Sequence, residues 1–177
     1  MKNGEIKFSS VRLRMAQISE NDRSLYLELH TNPNVIDLCF DRPSLKDIEL
    51  KFQSRLPAWR VDSENWLCLV ITEAETGRKV GVTGFKLENG IAEVGYLLLP
   101  EFFGRGYGTE SLAALIGWAS KSLGITNYEA IVTKGNVGSE KVLTKCGFTL
   151  SKIVPNAYCI KGLLYDDHIY SLSIRPR

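Results

Sequence analysis

Residues 92–111, AEVGYLLLPEFFGRGYGTES, constrain this chain more than any other stretch. The first half alternates, with Ala92, Val94, Tyr96 and Leu98 on one side and Glu93, Gly95, Leu97 and Leu99 on the other, which is the period of a strand. Pro100 lacks an N–H and ends the ladder. Gly104, Arg105, Gly106, Tyr107, Gly108 and Thr109 then run straight into a helical pattern in which Leu112, Leu115, Ile116, Ala119 and Leu123 share one face. A strand, a glycine-rich turn and a helix N-terminus in that order build an anion site. The first N–H groups of a helix have no intrahelical partner and sit at the positive end of its dipole. Glycines at the turn let a phosphate approach them without a Cβ in the way.

Spacing narrows the ligand. A Walker loop requires G-x-x-x-x-G-K-[ST], and no Lys-Ser or Lys-Thr follows Gly106 or Gly108. A Rossmann fingerprint requires G-x-G-x-x-G, and Gly104-Arg105-Gly106 is not continued by a glycine at 109. What remains is R-G-x-G preceded by G-Y-L-L-L-P. This segment resembles the acetyl-CoA signature of the GNAT superfamily of N-acetyltransferases, and within it the RimJ/RimL-like branch. The family's general form, [QR]-x-x-G-x-[GA], places Phe103 where Gln or Arg would stand, a departure common in that branch.

The 177 residues predict one domain spanning the whole chain, with 44% apolar and 24% charged residues in the ordinary globular range. A net charge of +2, from 22 basic and 20 acidic residues mixed along the chain, gives no footprint for nucleic acid or an anionic membrane. No apolar run approaches the roughly 18 residues of a membrane span, and the N-terminus lacks the apolar core of a signal peptide. Cys39, Cys68, Cys146 and Cys159 form no C-x-x-C pair and only two histidines accompany them, so no metal site is expected. Scattered cysteines read most simply as reduced thiols of a cytoplasmic protein, with Cys68 and Cys146 packing as small hydrophobes.

Along the chain, residues 11–15 alternate apolar and basic side chains as a first strand. Ser19 to Asp22 start a helix carrying Leu25, Leu27 and Leu29 that stops near Asn32-Pro33, and Ser44 to Asp47 start a second, with Ile48, Phe52 and Leu56, ended by Pro57. Residues 66–71 form a strand buried on both faces, and residues 79–85 its partner. Glu88-Asn89-Gly90 is a hairpin turn into the central strand. After the long helix come a strand at 127–133, a helix at 137–146 capped by Asn136, and strands at 148–154 and 167–174 around a loop at 155–165. The resemblance therefore extends over nearly the whole chain. It implies a GNAT-type α/β (α+β) fold: a mixed, mostly antiparallel sheet flanked by helices, with a splayed central strand pair.

It also implies chemistry, namely transfer of an acetyl group from acetyl-CoA to a primary amine without a metal. Backbone amides of Phe103, Gly104, Arg105, Gly106, Tyr107, Gly108 and Thr109 would cradle the pyrophosphate, with the Arg105 side chain near its charge. A bulge within residues 96–99, involving Leu97, Leu98 and Leu99, would free a backbone N–H for the pantetheine arm. Asn136 and Ser139 match the branch's N-x-x-S element. Asn136 would hold pantetheine, or serve only as a helix cap, and Ser139 would protonate the departing sulfur, or be only a solvated first-turn serine. Many GNATs place a tyrosine further along this helix, where this chain has Leu143. Glu93, sharing a strand face with Gly95, is the expected base, against the bland reading of a solvated strand glutamate. The first two helices would wall the acceptor cleft. His168, beside Asp166 and Asp167, reads as a surface residue. The acceptor expected first is a protein or peptide α-amino group, of the ribosomal-protein type, and the alternative is a small-molecule amine, namely an amino sugar, an antibiotic or a polyamine. The readings from other classes are a non-catalytic CoA-binding module and a nucleotide-binding domain, the latter lacking the phosphate-binding lysine it would require, and a homodimer is open for any of them.

Overall fold

The computed structural model describes residues 4–175. Its elements in order are β1 (Lys7–Ser9), β2 (Leu13–Gln17), α1 (Arg23–Thr31), α2 (Pro33–Ile36), α3 (Leu45–Arg55), β3 (Leu67–Glu73), β4 (Lys79–Glu88), β5 (Ile91–Leu98), α4 (Tyr107–Leu123), β6 (Asn127–Thr133), α5 (Val137–Lys145), β7 (Thr149–Ile160) and β8 (Leu163–Ser173). The eight strands of the described residues form one sheet in the order β1-β2-β3-β4-β5-β6-β8-β7. Neighbours are antiparallel except β5 and β6, which are parallel.

Both sheet faces are covered, as strand parity on β5 demonstrates. A Cβ built on Gly95 would meet the Trp66 ring, over which Arg55 of α3 lies. Leu98, of opposite parity, reaches Gly108 of α4 instead. The core between these layers is apolar: Leu69, Ile71, Val80 and Phe85 of the central strands are fully enclosed, as are Leu112 and Leu115 of α4. Glycine at 84 is required by close packing, because a Cβ there would stand 1.8 Å from the Leu67 carbonyl oxygen.

Three expectations are corrected. The first strand begins at Leu13, and Val11 is 94% exposed in a turn, where the Ser10 N–H donates to the Leu13 carbonyl and the Ser10 hydroxyl accepts from the Leu13 N–H. A further edge strand, β1, precedes it. Leu27 lies on the solvent side of α1, since two residues from Leu25 and Leu29 is about half a helical turn, and Tyr26 takes the inward position. The loop expected at 155–165 is instead the end of a long hairpin. β7 and β8 stay paired past Pro155 and Asn156 through a register shift between Val154 and Tyr158, and they turn at Lys161-Gly162 with φ of +50° and +75°. The Asn89-Gly90 turn, with φ of +51° and +78°, has the expected hairpin geometry.

Candidate active site

Strands β5 and β6 pair only from Ile91 to Glu93, opposite Asn127 to Glu129, and then part. On its other edge β5 stays in unbroken register with β4, from Glu88 opposite Ile91 to Gly81 opposite Leu98, and the Leu99 N–H donates to the Val80 carbonyl at 2.9 Å. In such a ladder successive N–H groups alternate sides, so those of Tyr96 and Leu98 point into the gap. The bulge expected within 96–99 is absent from the β4–β5 ladder, and the free edge comes from β6 diverging. Leu99, only 7% exposed and with its N–H committed, does not line the cleft, whereas Leu97 and Leu98 do.

On the α4 side of the gap lies a cavity of about 510 Å³. The turn residues Phe103, Gly104, Gly106, Tyr107, Gly108 and Thr109 line it, together with Asn136, Gly138 and Ser139 of the next helix start. Gly106 caps α4 in the left-handed region, at φ +78°, so the chain turns there with the first-turn amides of α4 unspent. The turn is braced from behind: the Tyr107 hydroxyl donates to Glu73 at 2.7 Å and the Thr76 hydroxyl to the same carboxylate at 2.5 Å. Those two donors hold the Glu73 carboxyl below the usual range. Arg105 departs from expectation. Its guanidinium turns back to Glu73, 3.8 Å away, and over the Phe102 ring, so its side chain leaves the cleft. The cationic side chains that do line this cavity are Lys141 and Lys145, one turn apart on α5. Their four-residue spacing on the helix opened by Asn136 was the sequence signal for them.

On the α1–α3 side lies a second cavity of about 330 Å³. Glu93 lines it, half-buried, and burial first, then the neighbouring Glu129, pushes its carboxyl above the usual range while Lys86 opposes. Tyr26, His30, Phe40 and Trp66 give it aromatic walls, and Arg55 adds a cation. His30 Nδ1 lies 2.7 Å from the Tyr26 carbonyl, a geometry that places a proton on Nδ1, and burial lowers its pKa so the ring is neutral near pH 7. The resemblance placed the first two helices at this cleft, but it named none of these aromatic side chains, because an aromatic in sequence looks the same whether it faces a core or a cavity.

The two cavities meet. Leu38, Cys39, Tyr96, Leu97, Asn136 and Ser139 line both. The Asn136 Oδ1 accepts the Ser139 N–H at 3.3 Å, the helix cap expected of it, while its side chain still faces the junction. Tyr96 donates its hydroxyl to the Ser139 carbonyl at 3.1 Å, and burial raises its pKa. A phenol thus stands beside Ser139 from the strand, while the helix itself carries the fully buried Leu143. Burial pushes the Cys39 thiol up to about 11, which keeps it protonated and a poor nucleophile. His168 is half-buried rather than superficial and pairs with Glu140 at 2.7 Å, but it lines neither cavity. Among the described residues no group of histidine, cysteine or carboxylate side chains is gathered to hold a metal, and no helix is long and apolar enough to cross a membrane.

A split sheet with a glycine-capped helix at one mouth and an aromatic cavity at the other defines the class. The family profile for the acetyltransferase (GNAT) domain matches residues 12–149, and the chain belongs to that family. Among curated relatives, the uncharacterized N-acetyltransferase YoaA of Bacillus subtilis is 27% identical over 60% of this chain, and the uncharacterized N-acetyltransferase p20 of Bacillus licheniformis is 34% identical over 55%. Those matches span 62% and 57% of the relatives' own lengths. Similar solved structures include RimL, a ribosomal alpha-N-protein acetyltransferase in complex with coenzyme A (TM-score 0.83, 21% identity, 96% of this chain and 98% of that one). A spermidine N-acetyltransferase from Vibrio cholerae, in complex with CoA and spermine, has a TM-score of 0.79 at 16% identity, covering 93% and 96% of the two chains. At such identities the likeness is one of fold.

Proposed function

We propose that this chain transfers the acetyl group of acetyl-CoA to a primary amine, and that the amine is the α-amino group of a protein or peptide. The observation that carries the reading is the pair of cavities meeting at Ser139, one opening on a helix N-terminus and the other on Glu93.

The residues present fit CoA. The first-turn amides of α4 would take the pyrophosphate, with Lys141 and Lys145 adding charge, and the gap-facing N–H groups of Tyr96 and Leu98 with Asn136 would hold the pantetheine arm like an added strand. Bound acetyl-CoA supplies an acyl group activated as a thioester. In the reaction a C–N bond forms and the C–S bond breaks. Glu93 would receive the proton the amine must lose, directly or through water, and its raised pKa makes it a better base than an exposed carboxylate. Ser139 would give a proton to the departing sulfur, so that over the cycle one proton moves from nitrogen to sulfur.

An α-amine suits such a base. At pH 7 an α-amine of pKa about 7.8 costs roughly 1 kcal/mol to deprotonate, against about 4.6 kcal/mol for a lysine of pKa about 10.4. The acceptor cavity is also a poor polyamine site, with Glu93 as its single lining carboxylate among the described residues. Thiol release from acetyl-CoA should be fastest with peptides bearing free Ser or Ala N-termini and slower with N-blocked lysine peptides, spermidine and amino sugars. Preferential turnover of spermidine or an amino sugar would refute the α-amine assignment.

A further inference from the structure

The acceptor cavity is electrically two-ended. Glu93 and Arg55 are the oppositely charged side chains in its wall, and the Trp66 indole lies between them. The order follows from contacts. Glu93 and Gly95 share one face of β5, with Cα atoms on the order of 7 Å apart along the strand. Because Gly95 has no side chain, the Trp66 ring settles directly on it: a Cβ there would come within 3.3 Å of the ring. The Arg55 guanidinium in turn sits over that ring, 5.8 Å from its centre.

Arg55 is held in place but not neutralised. It ends α3, and the Gln17 amide fixes its backbone by donating to the Arg55 carbonyl at 3.1 Å and the Pro57 carbonyl at 2.7 Å. Among the described residues, arginines 12, 23, 60, 78 and 105 each have a carboxylate partner, and of the four with none within ion-pairing distance, 14, 42, 55 and 175, the three besides Arg55 are exposed. It is half-buried, faces the cavity and stands close enough to Tyr26 to oppose the rise that burial imposes on that phenol. A half-buried guanidinium with the Tyr26 phenol beside it and no carboxylate partner is suited to a carboxylate.

We propose that the acceptor carries a carboxylate as well as its amine, Arg55 pairing with the carboxylate across the Trp66 indole while Glu93 receives the amine. The inference rests on the amine acetyltransferase reading and narrows it to a zwitterionic acceptor. That carboxylate has two sources, an acidic side chain at or next to a peptide's N-terminus, or the α-carboxylate of a free amino acid. A polycation fits poorly, because its second charge would fall beside Arg55.

The test compares kcat/KM for amidated peptides starting with Asp or Glu against the isosteric Asn and Gln peptides, with free aspartate and glutamate as a separate arm. A charge-assisted pair predicts a preference of about 10- to 100-fold for acid over amide, read mainly in KM. Faster turnover of the acidic peptides assigns the carboxylate to a side chain, and faster turnover of the free amino acids assigns it to the main chain. Arg55→Gln should bring the acid-to-amide ratio close to one, and Arg55→Lys should restore part of it. Thermal melts of both variants control for the lost packing on Trp66. Equal rates on acidic and amide acceptors, or a ratio unmoved in Arg55→Gln, would overturn this inference and leave the acetyltransferase reading standing. Failure of every amine to accept acetyl would overturn both.

Discussion

In the proposed mechanism Ser139 and Glu93 have separate duties, and single substitutions should separate them. Ser139→Ala removes one hydroxyl from the junction and leaves the Asn136 cap intact, since that bond uses the Ser139 N–H. Turnover should fall about 10²-fold, within the range for general acid catalysis, while CoA affinity measured by calorimetry stays near the parent value. Undiminished turnover would mean that water or the Tyr96 phenol protonates the sulfur. Glu93→Gln should also lose about 10²-fold or more, and the parent's rate should fall with decreasing pH as Glu93 protonates. Stability should move the other way. Burial and Glu129 raise the folded-state pKa above its unfolded value, so between those two values the folded chain binds more protons. That contribution to stability is present at low pH and lost as pH rises through the raised value. At pH 8 the buried charge is a net cost, and Glu93→Gln should melt at or above the parent temperature. A variant melting well below the parent would show that the Lys86 attraction outweighs burial.

Among the elements, α5 offers the cleanest block of the cleft. Gly138, in its first turn, lines the larger cavity, and a Cβ there meets nothing closer than the Asn136 Oδ1 at 4.0 Å. Gly138→Leu should fold as the parent does and bind CoA at least 10-fold more weakly by calorimetry, its side chain occupying ligand space. Gly108→Val would weaken binding less informatively, because a Cβ at 108 already stands 3.2 Å from Val142 and would press α4 off α5. Unchanged CoA affinity in a folded Gly138→Leu chain would remove α5 from the CoA wall. The elements were legible in sequence where local chemistry is decisive. Asn136 capped α5, Asn89-Gly90 turned a hairpin, and residues 127–133 formed the strand their alternation predicts. They were illegible where tertiary pairing overrides it: Pro155 and Asn156 read as a loop, yet β8 holds them in a bulged strand. Arg105 shows the same limit within the site. Its place in the motif was plain, but only the fold brings Glu73 round to draw its side chain away.

At the level of the whole molecule, the paired cavities follow from a sheet that fails to close. β5 keeps every bond to β4 and abandons β6 after Glu93, and the residues around that failure come from β5, α4, α5 and the segment after α2. The motif in residues 92–111 announced one wall of the opening and the resemblance placed the first two helices at the other, but which side chains α1 and α3 turn into the cavity is a property of packing that no short stretch encodes. The most direct test is a crystal structure of the chain with CoA bound. The pyrophosphate should lie against the amides of Tyr107, Gly108 and Thr109, the pantetheine arm between β5 and β6, and the sulfur at the junction within hydrogen-bonding reach of the Ser139 hydroxyl. CoA lying in the Arg55 cavity, or its sulfur turned away from Ser139 and Glu93, would contradict the proposed mechanism.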